Sequence, residues 1–254
     1  MKHFTQRQGG LNVLGPGYWN KFYNDAKGKS AWGNPTRLML GWIQTAKPEG
    51  VNRVLDLGGG DGRYAIYFAA NGSHVDIVDS SKAAVKALIR LSEEKGATST
   101  DVAGQKRLGF PNGGMIDPYA MDVMSYFSGS EGVEVTMFDL ILSSGLLEYL
   151  TPNEVKYLIT KLQTATKPGG MNLIIYLAQG EEVSDIPGEH PHVAGSVENL
   201  YGDEWKMIET TDTTRPDTHI IMHYNGTVSD APETHSHRII RFIAIKNEEL
   251  PASD

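Results

Sequence analysis

The chain has 254 residues, 40% of them hydrophobic, which is enough to bury one good core and too little for two full domains. Its formal net charge is −8, and it lacks the clustered lysines and arginines on which nucleic-acid binding depends. It contains no cysteine, so disulfides, thiolate metal ligands and cysteine nucleophiles are excluded. These features favour a small-molecule substrate and no nucleic-acid partner.

Targeting signals are not visible in the sequence. The first ten residues lack the apolar core of a signal peptide, and no later apolar run approaches the roughly 18 residues of a membrane span. We therefore expect a cytoplasmic protein with no membrane partner. Three parts are expected along the chain: an arm with cap helices over residues 1–50, one domain over residues 51–246, and a tail over residues 247–254.

The N-terminal part begins with residues 1–17, which are polar and glycine-rich and predict a loosely held arm. A first helix is predicted next, because aromatic residues recur at helical spacing: Tyr18, Trp19, Phe22 and Tyr23. Asn34 and Pro35 predict the start of a second helix, with a cap followed by proline at the first helical position. These aromatic side chains could simply cover an edge of a sheet.

Residues 54–62 are the most informative stretch, since an apolar strand ends there at Asp56 and is followed by glycines at positions 58, 60 and 62. Such glycines allow positive φ and a close approach of the backbone to a ligand. A dinucleotide-binding turn would have its third glycine at position 63, where this chain has Arg63. S-adenosylmethionine (SAM) needs a different site, because it carries no phosphate and its ammonium could be received by Asp56 or by a nearby carbonyl. A purely structural turn is the alternative.

Strands and helices alternate through the central region, which is typical of a parallel α/β sheet. Residues 98–114 are glycine-rich and polar and predict an irregular loop. A capping box begins the helix at residue 151. The predicted strands cover residues 53–57, 74–79, 115–120 (weakly), 137–143, 172–177, 205–211 and 238–246, and the predicted helices cover residues 62–71, 82–95, 151–164 and 196–201.

Asp79 ends the second predicted strand, about twenty residues after the glycine turn. A carboxylate there can accept hydrogen bonds from both hydroxyls of a ribose. Capping of the next helix is the alternative role, which Ser80 or Ser81 could fill equally well. We predict that Gly58, Gly60, Asp79 and Ser80 contribute to the cofactor site.

The chain resembles the class I SAM-dependent methyltransferases over roughly residues 50–246. Three segments carry a narrower resemblance to the tellurite-resistance methyltransferase family: residues 55–72, with Leu55-Asp56-Leu57-Gly58 and Gly62-Arg63, residues 138–143, and residues 166–175. The resemblance implies a Rossmann-like α/β fold with a seven-stranded, mostly parallel sheet in the order 3-2-1-4-5-7-6, an antiparallel last strand and helices on both faces. It also implies SAM as cofactor and methyl transfer as the activity.

Further residue roles follow from this resemblance. Asp122 resembles the acid that accepts a hydrogen bond from the adenine amino group, with Val123 beside it; an ordinary surface turn is the alternative. In the family, N-terminal helices close over the cofactor and help to form the substrate pocket, which makes Tyr18, Trp19 and Trp32 candidates for acceptor contacts.

The exit of the fourth predicted strand is a second candidate region, because open α/β sheets bind ligands at the carboxyl ends of their strands. We expect the methyl group to be presented near Ser143 and Ser144, with backbone groups of Ser143 contacting the cofactor. Leu146 and Leu147 fit cofactor packing. Glu148 could be a base, although a solvated glutamate on a loop is the more ordinary interpretation.

Histidines concentrate near the C-terminus, where six of the eight lie between residues 190 and 237. Alternation along a strand would place His235 and His237 on one face. Two such ligands need a third that the sequence does not identify, so we predict no metal site. As a general base near neutral pH, a histidine suits a phenol or hydroxamate acceptor, and the candidates are His219, His223 and His237.

The tellurite-resistance family binds a substrate oxyanion with a His-Arg pair before its last hairpin and an arginine that opens its last strand. Arg238 and Arg241 fit that strand. The upstream pair is not reproduced, because His219 is followed by isoleucine and His223 by tyrosine. The acceptor is thus either an oxyanion such as tellurite or selenite, oriented by Arg238, or an oxygen or nitrogen atom of a small metabolite.

Two other functions remain open at this point. A nicotinamide-dependent oxidoreductase could use a similar fold, although the glycine spacing speaks against it. A SAM-binding sensor or partner subunit without catalysis is compatible with the missing His-Arg pair.

Overall fold

The computed structural model of the protein describes residues 16–25, 30–102, 104–128, 137–179, 191–219 and 233–248. Six α-helices lie in these ranges: α1 Pro16–Asp25, α2 Arg37–Ala46, α3 Arg63–Ala70, α4 Lys82–Glu94, α5 Val123–Phe127 and α6 Pro152–Ala165. The nine strands are β1 Arg53–Leu57, β2 His74–Val78, β3 Thr98–Val102, β4 Gln105–Gly109, β5 Met115–Tyr119, β6 Phe138–Ser144, β7 Thr166–Ala178, β8 Trp205–His219 and β9 Glu233–Lys246.

All nine strands form one sheet in the order β3-β4-β5-β2-β1-β6-β7-β9-β8. The five neighbouring strands β5, β2, β1, β6 and β7 are parallel, and β9 runs antiparallel to both of its neighbours. Without β3 and β4, the remaining seven strands have the predicted order 3-2-1-4-5-7-6 and the predicted antiparallel last strand. The predicted fold class is therefore confirmed, and the sheet has nine strands instead of seven.

The two additional strands correct the prediction of an irregular loop over residues 98–114. They form a hairpin on the outer edge of β5, turning at Gly104 with a φ of 83°. Arg107 pins this hairpin by donating to both carboxylate oxygens of Asp117 at 2.7 Å, and His74 lies 2.7 Å from the same carboxylate. Although burial acts in the opposite direction, these partners lower the pKa of Asp117 to about 2.

Two apolar layers cover the faces of the sheet. One layer packs α5 and α6 against the face that bears Leu55, Ile174 and Phe242, and the other packs α2 and α3 against the face that bears Val54, Leu173 and Ile243. Because strand side chains alternate between faces, β1, β2, β6, β7 and β9 each contribute to both layers. A side chain at the carboxyl edge of the sheet can therefore be assigned to one layer or the other from its register.

The boundaries of the predicted helices agree with the sequence signals with two exceptions, and the short helix α5 was not predicted. Thr151 and Glu154 form the predicted capping box at the start of α6. Helix α2 begins after Thr36 instead of at Pro35, and the helix predicted over residues 196–201 is a single 3-10 turn over Glu198–Leu200.

The chain ends lie largely outside the described residues, including most of the arm predicted over residues 1–17. Residues 16 and 17 belong to α1 and not to that arm. In the tail, Asn247 is tied to the backbone of residues 203 and 204. None of the helices within the described ranges is long and apolar enough to cross a membrane.

Gly114 tests how tightly the hairpin region packs on α3. A Cβ atom at this position would lie 1.9 Å from the backbone oxygen of Ala69, whereas one at Gly109 would meet nothing within 4 Å. We expect Gly114→Ala to lower the free energy of unfolding by at least about 2 kcal/mol, because backbone atoms cannot move aside as a side chain can. Gly109→Ala is the matched control in urea unfolding followed by circular dichroism. Equal midpoints for the two variants would contradict this packing.

Candidate active site

The site is built at the carboxyl edge of the sheet, where β1, β2, β5 and β6 end side by side. The turn after β1 is tied to the end of β2, since the Gly58 amide donates to the Val78 carbonyl at 2.8 Å. The Gly60 amide donates to the Asp79 carboxylate at 2.9 Å. Gly58, Gly60 and Gly62 all have positive φ, with values of 64°, 58° and 87°, a conformation that favours glycine.

Close packing gives a second reason for glycine in this turn. A Cβ atom on Gly60 would lie 2.2 Å from the hydroxyl oxygen of Tyr23, and one on Gly58 would lie 3.1 Å from the Cβ atom of Leu146. The backbone of the turn is therefore enclosed by α1 on one side and by the segment after β6 on the other.

Two buried acids flank the turn with unsatisfied oxygens. Asp56 and Asp61 are 2% and 1% exposed, and neither Asp56 Oδ2 nor Asp61 Oδ1 has a hydrogen-bond partner within the described ranges. Burial raises the pKa of Asp56 to about 7, against the opposing charge of Arg63. Buried acceptors without donors are costly, so these residues suit a cationic or hydrogen-bonding ligand group such as an ammonium.

Asp79 lies where the sequence analysis placed a ribose-binding acid. Its carboxylate accepts from the amides of Gly60 and Ser81, and burial raises its pKa. The capping role falls to Ser81, whose side chain accepts from the Ala84 amide at the start of α4. Ser80 is exposed beside it. The contacts predicted for Asp79 and Ser80 with the cofactor stay predictions.

Asp122 follows β5 at the same edge of the sheet. It is exposed and caps α5 by accepting from the amides of Met124 and Ser125, while Val123 is buried. The surface-turn interpretation thus accounts for the contacts that Asp122 makes within the protein itself. Its predicted contact with adenine is a further role that this capping arrangement does not test.

The exit of β6 has buried polar groups of its own. Ser143 is fully buried, and its Oγ atom has no hydrogen-bond partner in the described part of the chain. Ser144 accepts from Arg63 Nη2 at 3.5 Å. Glu148 is 4% exposed and not a solvated loop residue, because the chain folds back there as a 3-10 helix over Leu147–Tyr149.

Aromatic residues of α1 cover this edge of the sheet. The Trp19 ring contacts the rings of Tyr149, Phe22 and Trp32, and Trp32 Nε1 donates to the Tyr23 hydroxyl at 2.8 Å. Tyr18 packs edge-on against Trp19. These aromatic residues therefore enclose the glycine turn as well as forming part of the core around α1.

Two hydrogen-bonded contacts that the sequence analysis missed fasten this cover. Asn20 Oδ1 accepts from Ser81 Oγ at 3.0 Å and from the Ala83 amide at 2.9 Å. Asp61 Oδ2 accepts from the Ala31 amide at 2.6 Å. Both link residues more than 29 positions apart, and no local sequence pattern announces such pairs.

The four predicted catalytic residues are not brought together as one described cluster. Arg238 donates to both oxygens of Asp212 and to the carbonyl of Gln179. His237 is half-buried and lies on the other face of β9, opposite Arg215. His219 is the last residue of β8, and its side chain is not among those that the structure describes. His223 lies outside the described residues. Their catalytic roles stay predictions.

Arg241 is the second arginine of β9 and lies on the same face as His237. Its Nη1 atom donates to Thr213 Oγ1 at 2.8 Å. Burial and the nearby charge of Arg215 lower its pKa. Arg241 therefore differs from Arg238 both in the face it occupies and in having a hydroxyl partner instead of a carboxylate.

Within the described ranges, one group of metal-type ligands has its atoms within 4.8 Å of one another: His74, Asp76 and Asp117. Arg53 pairs with Asp76 and Arg107 pairs with Asp117. These arginines already satisfy the carboxylates, so the group is an ion-pair network between β1, β2, β4 and β5. The prediction that the protein has no metal site is not tested by this arrangement.

Comparisons with known proteins address the identity of the chain. A sequence model of the methyltransferase domain matches residues 55–172, and a model of the tellurite resistance protein TehB matches residues 130–216. No curated protein matches the sequence.

Solved structures share the fold at low sequence identity. TehB from Haemophilus influenzae is 17% identical with a TM-score of 0.59, over 90% of this chain and 67% of that one. The 1,6-didemethyltoxoflavin-N1-methyltransferase of Burkholderia thailandensis was solved with bound 1,6-didemethyltoxoflavin and S-adenosylhomocysteine (SAH). It is 15% identical with a TM-score of 0.57, over 93% of this chain and 88% of that one. The N-methyltransferase NodS of Bradyrhizobium japonicum WM9, solved with SAH, is 12% identical with a TM-score of 0.57, over 91% and 98%.

The glycine turn, the acids around it and the sheet order agree with these comparisons. The chain therefore contains a methyltransferase domain, matched over residues 55–172, is similar to the tellurite resistance protein TehB over residues 130–216, and has the fold of the solved methyltransferases.

Proposed function

We propose that this enzyme transfers a methyl group from SAM to an oxygen or nitrogen atom of a small organic molecule. The observation that carries the proposal is the enclosed carboxyl edge, where the turn after β1 and the exit of β6 lie beneath the aromatic cover of α1. The apolar side chains Trp19, Tyr149 and Leu146 at this edge suit a small, partly apolar acceptor.

The second candidate acceptor is a mononuclear oxyanion such as tellurite or selenite. Its predicted ligand was Arg238, but that guanidinium is held by the Asp212 carboxylate in a charge-assisted pair. An oxyanion would have to compete with this carboxylate. The pair therefore favours the organic acceptor over the oxyanion.

Methyl transfer asks little of the protein beyond positioning. SAM, when bound, supplies an electrophilic methyl group on a sulfonium. Asp56, Asp79 and the turn glycines would hold it, and the α1 cover would exclude water and align the acceptor atom. An acceptor that keeps a proton also needs a base. Of the predicted candidates, His237 is the one whose side chain the structure describes, and it lies on the face of β9 that carries Arg241.

Removal of the Asp79 carboxylate should weaken cofactor binding. We expect Asp79→Ala to cost about 1–3 kcal/mol of SAM affinity, because buried donors lose their acceptor. Gly60→Val should abolish binding, since its side chain would displace Tyr23. Calorimetric titration with SAM measures both, and Asp101→Ala on the exposed hairpin is the control. Wild-type affinity in two folded variants would refute the cofactor assignment.

The raised pKa of Asp56 predicts a pH dependence of cofactor binding. Below about pH 7 the folded protein holds Asp56 neutral, so its attraction for the cofactor ammonium appears only as the pH rises through that value. We expect SAH affinity to increase between pH 6 and pH 8, by less than tenfold per unit. Asp56→Asn should flatten this profile. A profile that is equally steep in the variant would assign the effect to another group.

A general base should be found by substituting the predicted histidines one at a time. We expect alanine at one of His219, His223 or His237 to lower kcat by roughly 10²–10⁴ on a phenolic acceptor while SAM affinity is unchanged. Product formation from labelled SAM, followed over a range of pH, measures the loss of kcat. It also shows whether the titration of the histidine has disappeared from the pH profile. If all three variants keep wild-type turnover, no histidine of this segment is the base.

A further inference from the structure

The register of the sheet places Arg241 in a row of residues that starts at the exit of β6, where the proposed methyl transfer takes place. Ser144, the last residue of β6, lies opposite Ile175 on β7, and Ile175 lies opposite Arg241 on β9. Residues opposite each other share a face. With strands about 4.8 Å apart, the Arg241 backbone is about 10 Å from the exit of β6.

The Arg241 side chain extends still farther from β6. Its Nη1 atom donates a hydrogen bond to Thr213 Oγ1 on β8, the outermost strand. Thr213 lies two residues beyond Thr211, the residue directly opposite Arg241, in the direction of the carboxyl edge. Arg215 follows on the same face, opposite His237. The two guanidinium groups therefore belong to one surface above β8 and β9.

Among the side chains that the structure describes, this surface carries positive charge without a matching carboxylate. Arg241 is half-buried and near Arg215, and in the part of the chain that the structure describes it forms no ion pair. Thr211 Oγ1, directly opposite Arg241, is buried without a hydrogen-bond partner in the same part of the chain. Glu209 is on this face but exposed and nearer the other end of the strand. A half-buried guanidinium beside a second positive charge is unfavourable unless an anion joins them.

We propose that Arg241 and Arg215 bind a carboxylate of the methyl acceptor. This carboxylate would lie about two strand spacings, or roughly 10 Å, from the atom that receives the methyl group. This inference rests on the proposed function, since it names the class of acceptor. A carboxylate matches the guanidinium fork with two oxygens. In a mononuclear oxyanion, by contrast, the methylated atom and the charge coincide, and one ion cannot reach both places. The acceptor is therefore an extended organic anion.

Calorimetric titration of the SAH-loaded enzyme with benzoate and with benzamide, its neutral counterpart, tests the carboxylate site. We expect wild type to bind benzoate at least tenfold more tightly than benzamide. Arg241→Gln and the exposed Arg215→Gln should each remove most of that preference, and Arg241→Lys should restore part of it. Arg90→Gln on α4, where Arg90 pairs with Glu94, is the matched control. Equal binding of the two probes to wild type, or an unchanged preference in Arg215→Gln and Arg241→Gln, would overturn the proposal.

A separate titration with SAH distinguishes this inference from the proposed function. Loss of the benzoate preference with SAH affinity intact is the expected result for the arginine variants. A wild-type enzyme that fails to bind SAH would refute the proposed function itself. Methylation of selenite, with a kcat/KM that falls in Arg238→Gln and not in Arg241→Gln, would overturn the carboxylate site while leaving methyl transfer standing.

Discussion

Several hydrogen bonds join the turn after β1 to the end of β2, and the site depends most on the one from the Gly60 amide to the Asp79 carboxylate. The bond requires a φ of 58° at Gly60, a conformation that residues with a Cβ atom rarely adopt. The Tyr23 hydroxyl occupies the place that such a Cβ atom would take. The absence of one side chain therefore shapes the turn, orients the acid predicted to bind ribose, and seats the aromatic cover.

The cover is fastened at both ends of the predicted cofactor site. Asn20 accepts hydrogen bonds at the start of α4, next to Asp79, and Asp61 holds the Ala31 amide beside the turn. These contacts satisfy polar groups that helix α4 and the turn would otherwise leave to water. Opening the cover consequently breaks hydrogen bonds as well as aromatic packing, and this couples the order of the N-terminal segment to the integrity of the turn.

Local patterns predicted most of the fold because the parallel strands, the glycine turn and the capping box at Thr151 are encoded in adjacent residues. The β3–β4 hairpin escaped prediction, since its strands are polar and short and are held by Arg107 on Asp117, a pairing between separate elements. Asn20 escaped for the same reason. At the site, residue type and position after a strand indicated Asp56 and Asp79, but burial of Glu148 depends on how the chain folds back after β6.

The two arginines of β9 show where a motif stops being informative. Arg238 and Arg241 are three residues apart, so the two-residue period of a strand places them on opposite faces. Family resemblance favoured Arg238, but the strand pairing sets Asp212 within reach of it and leaves Arg241 with a threonine. Both arginines are equally basic in the sequence, and only the cross-strand neighbour decides which charge is neutralised. The electrostatic character of the proposed acceptor site is thus a property of β8, the outermost strand beyond β9.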